Sequence, residues 1–143
     1  MSLLIYGANG YTGELCARRA AAEGLPTVLA GRRADVVQAL ATELGRPHLA
    51  FALDRPAAVD AALAGVTAVL NCAGPFSRTA AQLVAACLRA KAHYLDITGE
   101  LDVLEKMAGR DEEARAAGIT LLPGAGFDVV PSDCLAAHLK RRL

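Results

Sequence analysis

The sequence has no excess of either charge: its 143 residues include 15 basic and 15 acidic side chains, which give a formal net charge of zero. A chain without net charge has no overall electrostatic attraction to nucleic acid or to an anionic membrane. Long apolar runs are absent too, and residues 3–6 are too few for the apolar segment of a signal peptide. We therefore expect a cytoplasmic protein with no nucleic-acid partner and no membrane span.

Cysteines at metal-binding or redox spacing are also absent. The four that occur are scattered and form no Cys-x-x-Cys pair: Cys16, Cys72, Cys87 and Cys134. We interpret them as small buried hydrophobic residues in a reducing compartment, not as a disulfide framework or a zinc site, and we expect no metal. A hydrophobic fraction of 54% with only 21% charged residues predicts a sizeable core in one domain that spans residues 1–143.

Three glycines at intervals of three residues follow the first apolar run. Gly7, Gly10 and Gly13 stand between a predicted strand and a predicted helix. In such a unit the first glycine permits a tight turn with positive φ, the second lets the backbone approach a pyrophosphate, and the third lets the helix pack closely on the strand. Free N–H groups at the helix start would face the phosphates. This context predicts a dinucleotide cofactor bound by Gly7, Asn9, Gly10, Tyr11, Thr12 and Gly13; a tight turn without a ligand is the alternative.

Predicted strands and helices alternate along the chain. We expect strands at residues 2–6, 27–30, 48–53, 68–71, 94–97 and 119–122, and helices at 11–23, 34–44, 57–64, 78–92, 101–117 and 132–143. The strands are short and apolar on both faces, as a buried parallel sheet requires. The pattern predicts an α/β fold, a Rossmann-type doubly wound parallel sheet in three layers (α/β/α), with strand order 3-2-1-4-5-6. Ligand should lie at the carboxyl ends of strands one and four, and the last helix, capped by Ser132, should cover the sheet.

The end of the second strand carries two arginines and no acid. An NAD-binding unit has Asp or Glu there to grip the ribose hydroxyls, whereas this chain has Arg32 and Arg33. A planar, permanently charged guanidinium suits a 2′-phosphate and would lack a partner on plain ribose. The cofactor is therefore expected to be NADP(H) in preference to NAD(H). A solvated arginine pair at a helix entrance, tied to Asp35, is the alternative.

Two further loops are expected to contact the cofactor. Asp54 follows strand three, where a carboxylate could accept from the adenine amine or could start the turn before Pro56. After strand four, small residues would let the backbone pass close to the second ribose and the nicotinamide, and an amide side chain could contact them; an ordinary Gly-Pro loop is the alternative. The predicted contacts from this segment are Asn71, Ala73, Gly74 and Pro75.

Five ordered blocks carry a resemblance to a known family: GANGYTG at 7–13, AGR at 30–32, NCAGPF at 71–76, YLDITGE at 94–100 and GAGFDVVPSD at 124–133. Together they resemble the N-terminal half of the saccharopine dehydrogenase-like oxidoreductases, including the trans-acting enoyl reductases. The resemblance implies an NADP(H)-binding domain that, with a separate substrate domain, transfers hydride to or from a small imine- or enoyl-type substrate. It further implies that this chain lacks that second domain, binds cofactor without turnover, and could pair with a second copy.

The last two blocks contain acids whose role the sequence leaves open. Asp96 and Glu100 could orient a substrate amine or hold a loop, or Thr98 and Glu100 could simply cap the helix that starts there. Asp128 and Asp133 bracket residues 129–132 after strand six, and Asp133 would lie in the first turn of the last helix. We assign no catalytic residue among them. No tyrosine is followed by lysine four positions later, which excludes a short-chain dehydrogenase, and no Gly-Lys-Ser/Thr occurs, which excludes a P-loop nucleotidase. A non-catalytic NADP(H)-sensing module is the alternative function.

Overall fold

Within residues 2–127 and 129–143, which the computed structural model describes, six strands form one wholly parallel sheet in the order β3-β2-β1-β4-β5-β6. The predicted fold class and strand order are therefore confirmed. The order reverses between β1 and β4, so the carboxyl ends of these two neighbouring strands open a crevice. The strands are β1 Leu3–Tyr6, β2 Thr27–Gly31, β3 His48–Ala50, β4 Ala68–Asn71, β5 His93–Asp96 and β6 Leu121–Leu122.

Helices connect the strands on both faces of the sheet. Gly45 and Gly118 end two of them with φ of 62° and 71°, a left-handed conformation that costs glycine little. Pro56 is the first residue of a third helix. An N–H at this position has no acceptor within the helix, so proline loses no hydrogen bond there. The helices are α1 Tyr11–Ala22, α2 Ala34–Leu44, α3 Pro56–Ala62, α4 Ala80–Ala90, α5 Leu101–Ala108, α6 Asp111–Ala117 and α7 Val130–Lys140.

The core has two halves because successive strand residues point to opposite faces. Leu4 and Tyr94 belong to the half that also contains buried residues of α3, α4, α5 and α6. Ile5 and Leu29 belong to the half packed against α1 and α2. All four side chains are fully buried, and the sheet is thus the middle layer of an α/β/α sandwich.

Several predicted elements have other bounds in the structure, and for three of them before the last helix the reason is clear. Residues 101–117 form two helices, because the backbone leaves the helical path at Arg110, which pairs with Glu113 across the start of α6 at 2.8 Å. The helix expected from residue 78 is preceded by a 3₁₀ turn, Phe76–Arg78, and begins at Ala80. The third strand is shorter and more exposed than expected, since β3 lies at the sheet edge and has one neighbour.

The last helix does not behave as predicted. It starts at Val130, so Ser132 lies in its first turn, where its hydroxyl donates to the Val129 carbonyl at 3.1 Å; the assignment of Ser132 as the N-cap is wrong. No residue of α7 is buried, and Leu135 and Leu139 remain 58% and 51% exposed. The expectation that this helix covers the sheet is therefore also wrong. The predicted role of Asp128 lies outside the described residues.

Two other expectations from composition can be compared with the structure. Cys87 is buried, Cys16 and Cys72 are half-buried, and Cys134 is exposed, so the prediction of four buried cysteines is wrong for Cys134. Among the residues that the structure describes, no helix combines the length and the apolar character needed to cross a membrane.

The close packing of α1 on the first turn makes a stability prediction. A Cβ added at Gly13 would overlap the Gly7 carbonyl group, whereas one added at Gly99 would meet no atom within 4 Å. We expect Gly13→Ala to lower the free energy of unfolding by about 3 kcal/mol, since an overpacked site must displace backbone. Urea denaturation measures this loss. In the matched control, Gly99→Ala, the free energy of unfolding should stay within about 0.5 kcal/mol of that of the parent. Equal stability of the two variants would contradict the packing role of Gly13.

Candidate cofactor-binding site

Two adjoining cavities occupy the crevice at the carboxyl ends of β1 and β4. One has a volume of about 470 Å³ and is lined by six of the predicted site residues: Gly7, Asn9, Gly10, Arg32, Arg33 and Ala73. The other, of about 420 Å³, is lined by Asp54, Gly74 and Pro75 among others. Tyr6, Arg32 and Ala73 line both cavities. Residues predicted from four separate loops therefore meet in one continuous crevice.

The glycine turn forms the floor of the first cavity. Gly7 has φ of +81°, and its N–H donates to the Ala30 carbonyl at 2.8 Å, which holds the turn against β2. A Cβ at Gly7 would come within 2.8 Å of the Ala73 nitrogen, so only glycine permits the contact between the two loops. A Cβ at Gly10 would meet only the Gly7 oxygen, at 3.3 Å, and its other side is open.

The start of α1 offers backbone donors to this cavity. Gly10 is the N-cap residue and has no side-chain cap bond. The first intrahelical bond runs from Glu14 N–H to the Gly10 carbonyl, at 2.8 Å, so the N–H groups of Tyr11, Thr12 and Gly13 precede the helical ladder. These groups and the positive end of the helix dipole provide the chemistry that binds a phosphate.

The end of β2 contributes positive charge without an acid. Arg32 and Arg33 line the first cavity, and Arg33 is the N-cap residue of α2. Asp35 lies in the first turn of that helix and makes no side-chain cap bond. Within the described residues, the ion pairs involve other arginines, so neither Arg32 nor Arg33 is neutralised by a carboxylate within 4 Å. Both guanidiniums keep their donors for a ligand.

Asn9 crosses from the glycine turn to the end of β2. Its Oδ1 would lie 2.8 Å from a Cβ added at Gly31, so the absence of a side chain at Gly31 makes room for the Asn9 carboxamide. Asn9, Gly31 and Arg32 line the same cavity. The structure thus places an amide side chain beside the two arginines, as a neutral group that can hydrogen-bond to ribose or phosphate oxygens.

Tyr6 is a cleft residue that the sequence reasoning missed. Its ring packs on Phe51 with centroids 5.1 Å apart, and its hydroxyl donates to the Phe51 carbonyl at 3.2 Å. Burial raises the pKa of Tyr6, while the nearby charge of Arg32 acts in the opposite direction and that of Asp54 adds to the increase. Arg32 and Asp54 line the second cavity together with Tyr6. An aromatic residue directly before the first glycine was the available signal.

The Asn71 side chain points into the protein interior. It is fully buried; its Oδ1 accepts from the Ala73 N–H at 3.0 Å, and its Nδ2 donates to Thr79 Oγ1 and to the Tyr94 hydroxyl, each at 3.1 Å. The Thr79 hydroxyl donates in turn to the Ala73 carbonyl at 2.7 Å. Asn71 therefore holds the loop that reaches the cavities, and Ala73, Gly74 and Pro75 form the wall.

Glu100 reaches across to the same loop from the segment after β5. Its two carboxylate oxygens accept from the Phe76 N–H at 2.6 Å and the Ser77 N–H at 3.0 Å. Thr98 Oγ1 accepts from the Glu100 N–H at 3.0 Å and fixes the start of this segment. Among the predicted roles of these residues, the geometry supports the one in which Glu100 holds a loop. Its side chain caps the 3₁₀ turn Phe76–Arg78 and not the start of its own helix, α5.

Comparisons with known proteins agree with this geometry. The sequence profile of the saccharopine dehydrogenase NADP binding domain matches residues 3–122. The chain is 30% identical to a human saccharopine dehydrogenase-like oxidoreductase over 99% of its own length and 38% of the relative's. It is 32% identical to a trans-acting enoyl reductase of Mycobacterium tuberculosis, over 98% of the chain and 35% of the relative. It therefore spans little more than a third of these relatives.

Solved structures share the fold. A saccharopine dehydrogenase (L-Glu forming) from Saccharomyces cerevisiae superposes with a TM-score of 0.77 at 23% identity, covering 89% of this chain and 27% of the yeast chain. A triphenylmethane reductase from Citrobacter sp., complexed with NADP(H), superposes with a TM-score of 0.63 at 18% identity, covering 83% of this chain and 48% of the other. At these identities the likeness concerns the fold.

The Glu100 contact predicts a pH-dependent loop. Hydrogen bonds from the Ser77 side chain and from the Phe76 and Ser77 backbone hold the pKa of Glu100 below its ordinary value of 4.5. A lowered folded-state pKa means that the stabilisation is complete above 4.5 and is lost as the pH falls through the lower, folded-state value. We expect the amide resonances of Phe76 and Ser77 to titrate with a midpoint below 4.5. Glu100→Gln, as the control, should abolish this titration, and a midpoint at or above 4.5 would contradict the assigned contact.

Proposed function

The chain belongs to the saccharopine dehydrogenase NADP binding domain family, and on this premise we propose that its crevice between β1 and β4 holds NADP(H) for a hydride-transferring oxidoreductase. The main support is that the glycine turn and two arginines meet in one cavity. Among the residues that the structure describes, no acid lines this cavity and neither arginine pairs with a carboxylate. Hydride transfer is the chemistry of the cofactor when bound, and the residues of this chain bind and orient it.

The pyrophosphate would bind at the start of α1. The open side of Gly10 faces the cavity, and the backbone N–H groups of Tyr11, Thr12 and Gly13 have no acceptors within the helix. Anionic oxygens in this position would accept from these donors and interact favourably with the helix dipole. Gly7 and Gly13 would act indirectly, through the close packing that sets the helix start.

The 2′-phosphate would bind between the two arginines and Asn9. A guanidinium can form two parallel hydrogen bonds to a phosphate, and in the part of the chain that the structure describes neither arginine pairs with a carboxylate. NAD(H) would leave this charge without a partner, which supports NADP(H) as the preferred form. Asn9 would add donors from the glycine turn, since it reaches over Gly31 to the same cavity.

The adenine would lie in the second cavity. Asp54 lines this cavity together with Gly74 and Pro75, so its carboxylate could accept from the exocyclic amine. Asn71 would act through Ala73, since all of its observed bonds are internal. Each of these roles is a proposal for a side chain whose location supports it.

The activity of the whole protein is a further proposal. The names of the relatives, saccharopine dehydrogenase-like oxidoreductase and trans-acting enoyl reductase, suggest an imine- or enoyl-type substrate bound with the help of a second domain. Exposed apolar side chains at Leu122, Leu135 and Leu139 would suit coverage by that domain or by a second copy. A purely NADP(H)-sensing module is less favoured, because the relatives that match over the chain's full length are named as oxidoreductases.

Cofactor preference gives the first functional prediction. We expect the chain to bind NADPH more tightly than NADH, and Arg32→Ala to weaken NADPH binding by about 1.5–3 kcal/mol, the range for a charge-assisted hydrogen bond. Isothermal titration calorimetry with both cofactors measures this. Arg115→Ala, which removes an exposed arginine of α6 that pairs with Asp111 in the same helix, is the control and should leave both affinities unchanged. Equal loss of NADPH and NADH affinity in Arg32→Ala would contradict the 2′-phosphate site.

The second functional prediction concerns turnover. A hydride acceptor needs a shielded pocket against the nicotinamide; the loops after β1, β2, β3 and β4 line the crevice, and we propose that a second domain closes it over the nicotinamide. We expect the 143-residue chain to bind NADPH and not to oxidise it in the presence of imine or enoyl substrates. Absorbance at the NADPH band follows the reaction, with a full-length relative as the positive control. Turnover by the chain at the relative's rate would contradict the need for a second domain.

A further inference from the structure

Three fully buried polar side chains are not among the residues described as lining either cavity: Asn71, Tyr94 and Asp96. They lie on the neighbouring strands β4 and β5, towards the carboxyl ends of the strands, where the crevice opens. Asn71 is in register with Asp96 across β4 and β5, and Tyr94 is two residues before Asp96 on the same face. Polar groups without access to water must be hydrogen-bonded, so their partners define what they hold.

The three side chains form one connected chain of hydrogen bonds. The Tyr94 hydroxyl accepts from Asn71 Nδ2 at 3.1 Å and donates to Asp96 Oδ2 at 2.8 Å. Burial and the neighbouring Asp96 raise the pKa of Tyr94, so this hydroxyl keeps its proton and remains the donor. Tyr94 is thus the link through which the amide and the carboxylate orient each other.

The two ends of this hydrogen-bonded cluster hold three different loops. Asn71 Oδ1 accepts from the Ala73 N–H at 3.0 Å, after β4. Asp96 Oδ1 accepts from the Thr98 N–H at 3.0 Å, after β5, and from the Gly124 N–H at 2.9 Å, after β6. Three neighbouring loops at the carboxyl ends of the strands are therefore anchored to a single buried cluster.

The anchored loop is in direct contact with the glycine turn. Ala73 lines both cavities, and its nitrogen marks the closest approach to Gly7, where a Cβ would be only 2.8 Å away. A displacement of Ala73 would therefore change the crevice and the turn together. A cluster with a purely structural role would stabilise the sheet and leave ligand affinity unchanged.

We propose that Asn71, Tyr94 and Asp96 are positioning residues that set the cofactor crevice by fixing Ala73 and the loops after β5 and β6. This proposal rests on the proposed function, since it concerns the same crevice. In this proposal none of the three side chains touches the cofactor, and they act through the backbone that they hold. The cluster connects the cofactor side of the crevice to the segments after β5 and β6, where a substrate would approach the nicotinamide.

Tyr94→Phe tests the proposal because it removes the linking hydroxyl and little volume. Thr27→Val is the matched control: it also deletes a buried hydroxyl, one that donates to the Leu25 carbonyl at 3.0 Å at the opposite end of the sheet. In Tyr94→Phe we expect NADPH affinity to fall about fivefold or more, as loss of a buried hydrogen bond would give. Thr27→Val should bind as the parent does.

A second measurement without cofactor separates this inference from the proposed function. Amide hydrogen exchange at Ala73, Thr98 and Gly124 should become faster in Tyr94→Phe and remain unchanged in Thr27→Val. If the parent chain failed to bind NADPH, the proposed function would fail, and the exchange rates would still decide whether the cluster holds the loops. Should Tyr94→Phe fail to fold, Thr79→Val replaces it, since it removes the bond to the Ala73 carbonyl and the bond that Thr79 accepts from Asn71. Parental affinity together with parental exchange would overturn the proposal.

Discussion

The close approach of the first turn to three neighbouring segments is the constraint on which the crevice depends. Gly7 is fixed to β2 through its N–H, lies against Ala73 from the loop after β4, and has its carbonyl beneath Gly13 of α1. A side chain at Gly7 or Gly13 would push one of these segments away. The start of α1 faces the crevice because this turn is so narrow, and the dipole and free N–H groups of the helix are thereby aimed at one point.

Hydrogen bonds fix the opposite wall. The path of the loop after β4 is set by Asn71, which accepts from the Ala73 N–H, and by Glu100, which accepts from the Phe76 and Ser77 N–H groups. Asp96 holds the segments that follow β5 and β6 in the same way. An unpaired buried polar group is costly, so such bonds specify one loop geometry more sharply than apolar contacts would. A rigid rim around a crevice suits a ligand whose reactive ring must be held in one orientation.

Much of this arrangement follows from local sequence signals. The roles of Gly7 and Gly13, the strand order and the bounds of β4 and α2 all depend on short-range patterns, and the structure confirms them. The inward turn of Asn71 depends on its tertiary partners Thr79 and Tyr94, which a pattern of residue types does not contain. Glu100 is the plainest case: its own segment suggests a helix cap, yet its acceptors serve N–H groups 23 and 24 residues away.

The central claim is that this crevice is where the chain binds NADP(H). The most direct measurement is a titration of isotopically labelled chain with NADP⁺, followed by backbone amide chemical shifts. The account predicts that the largest shifts fall in residues 7–13, 31–33 and 73–77, which line the two cavities or hold their walls. Shifts confined instead to the cavity of about 450 Å³ beside Leu104, Met107 and Leu121, on the far side of β5, would contradict it.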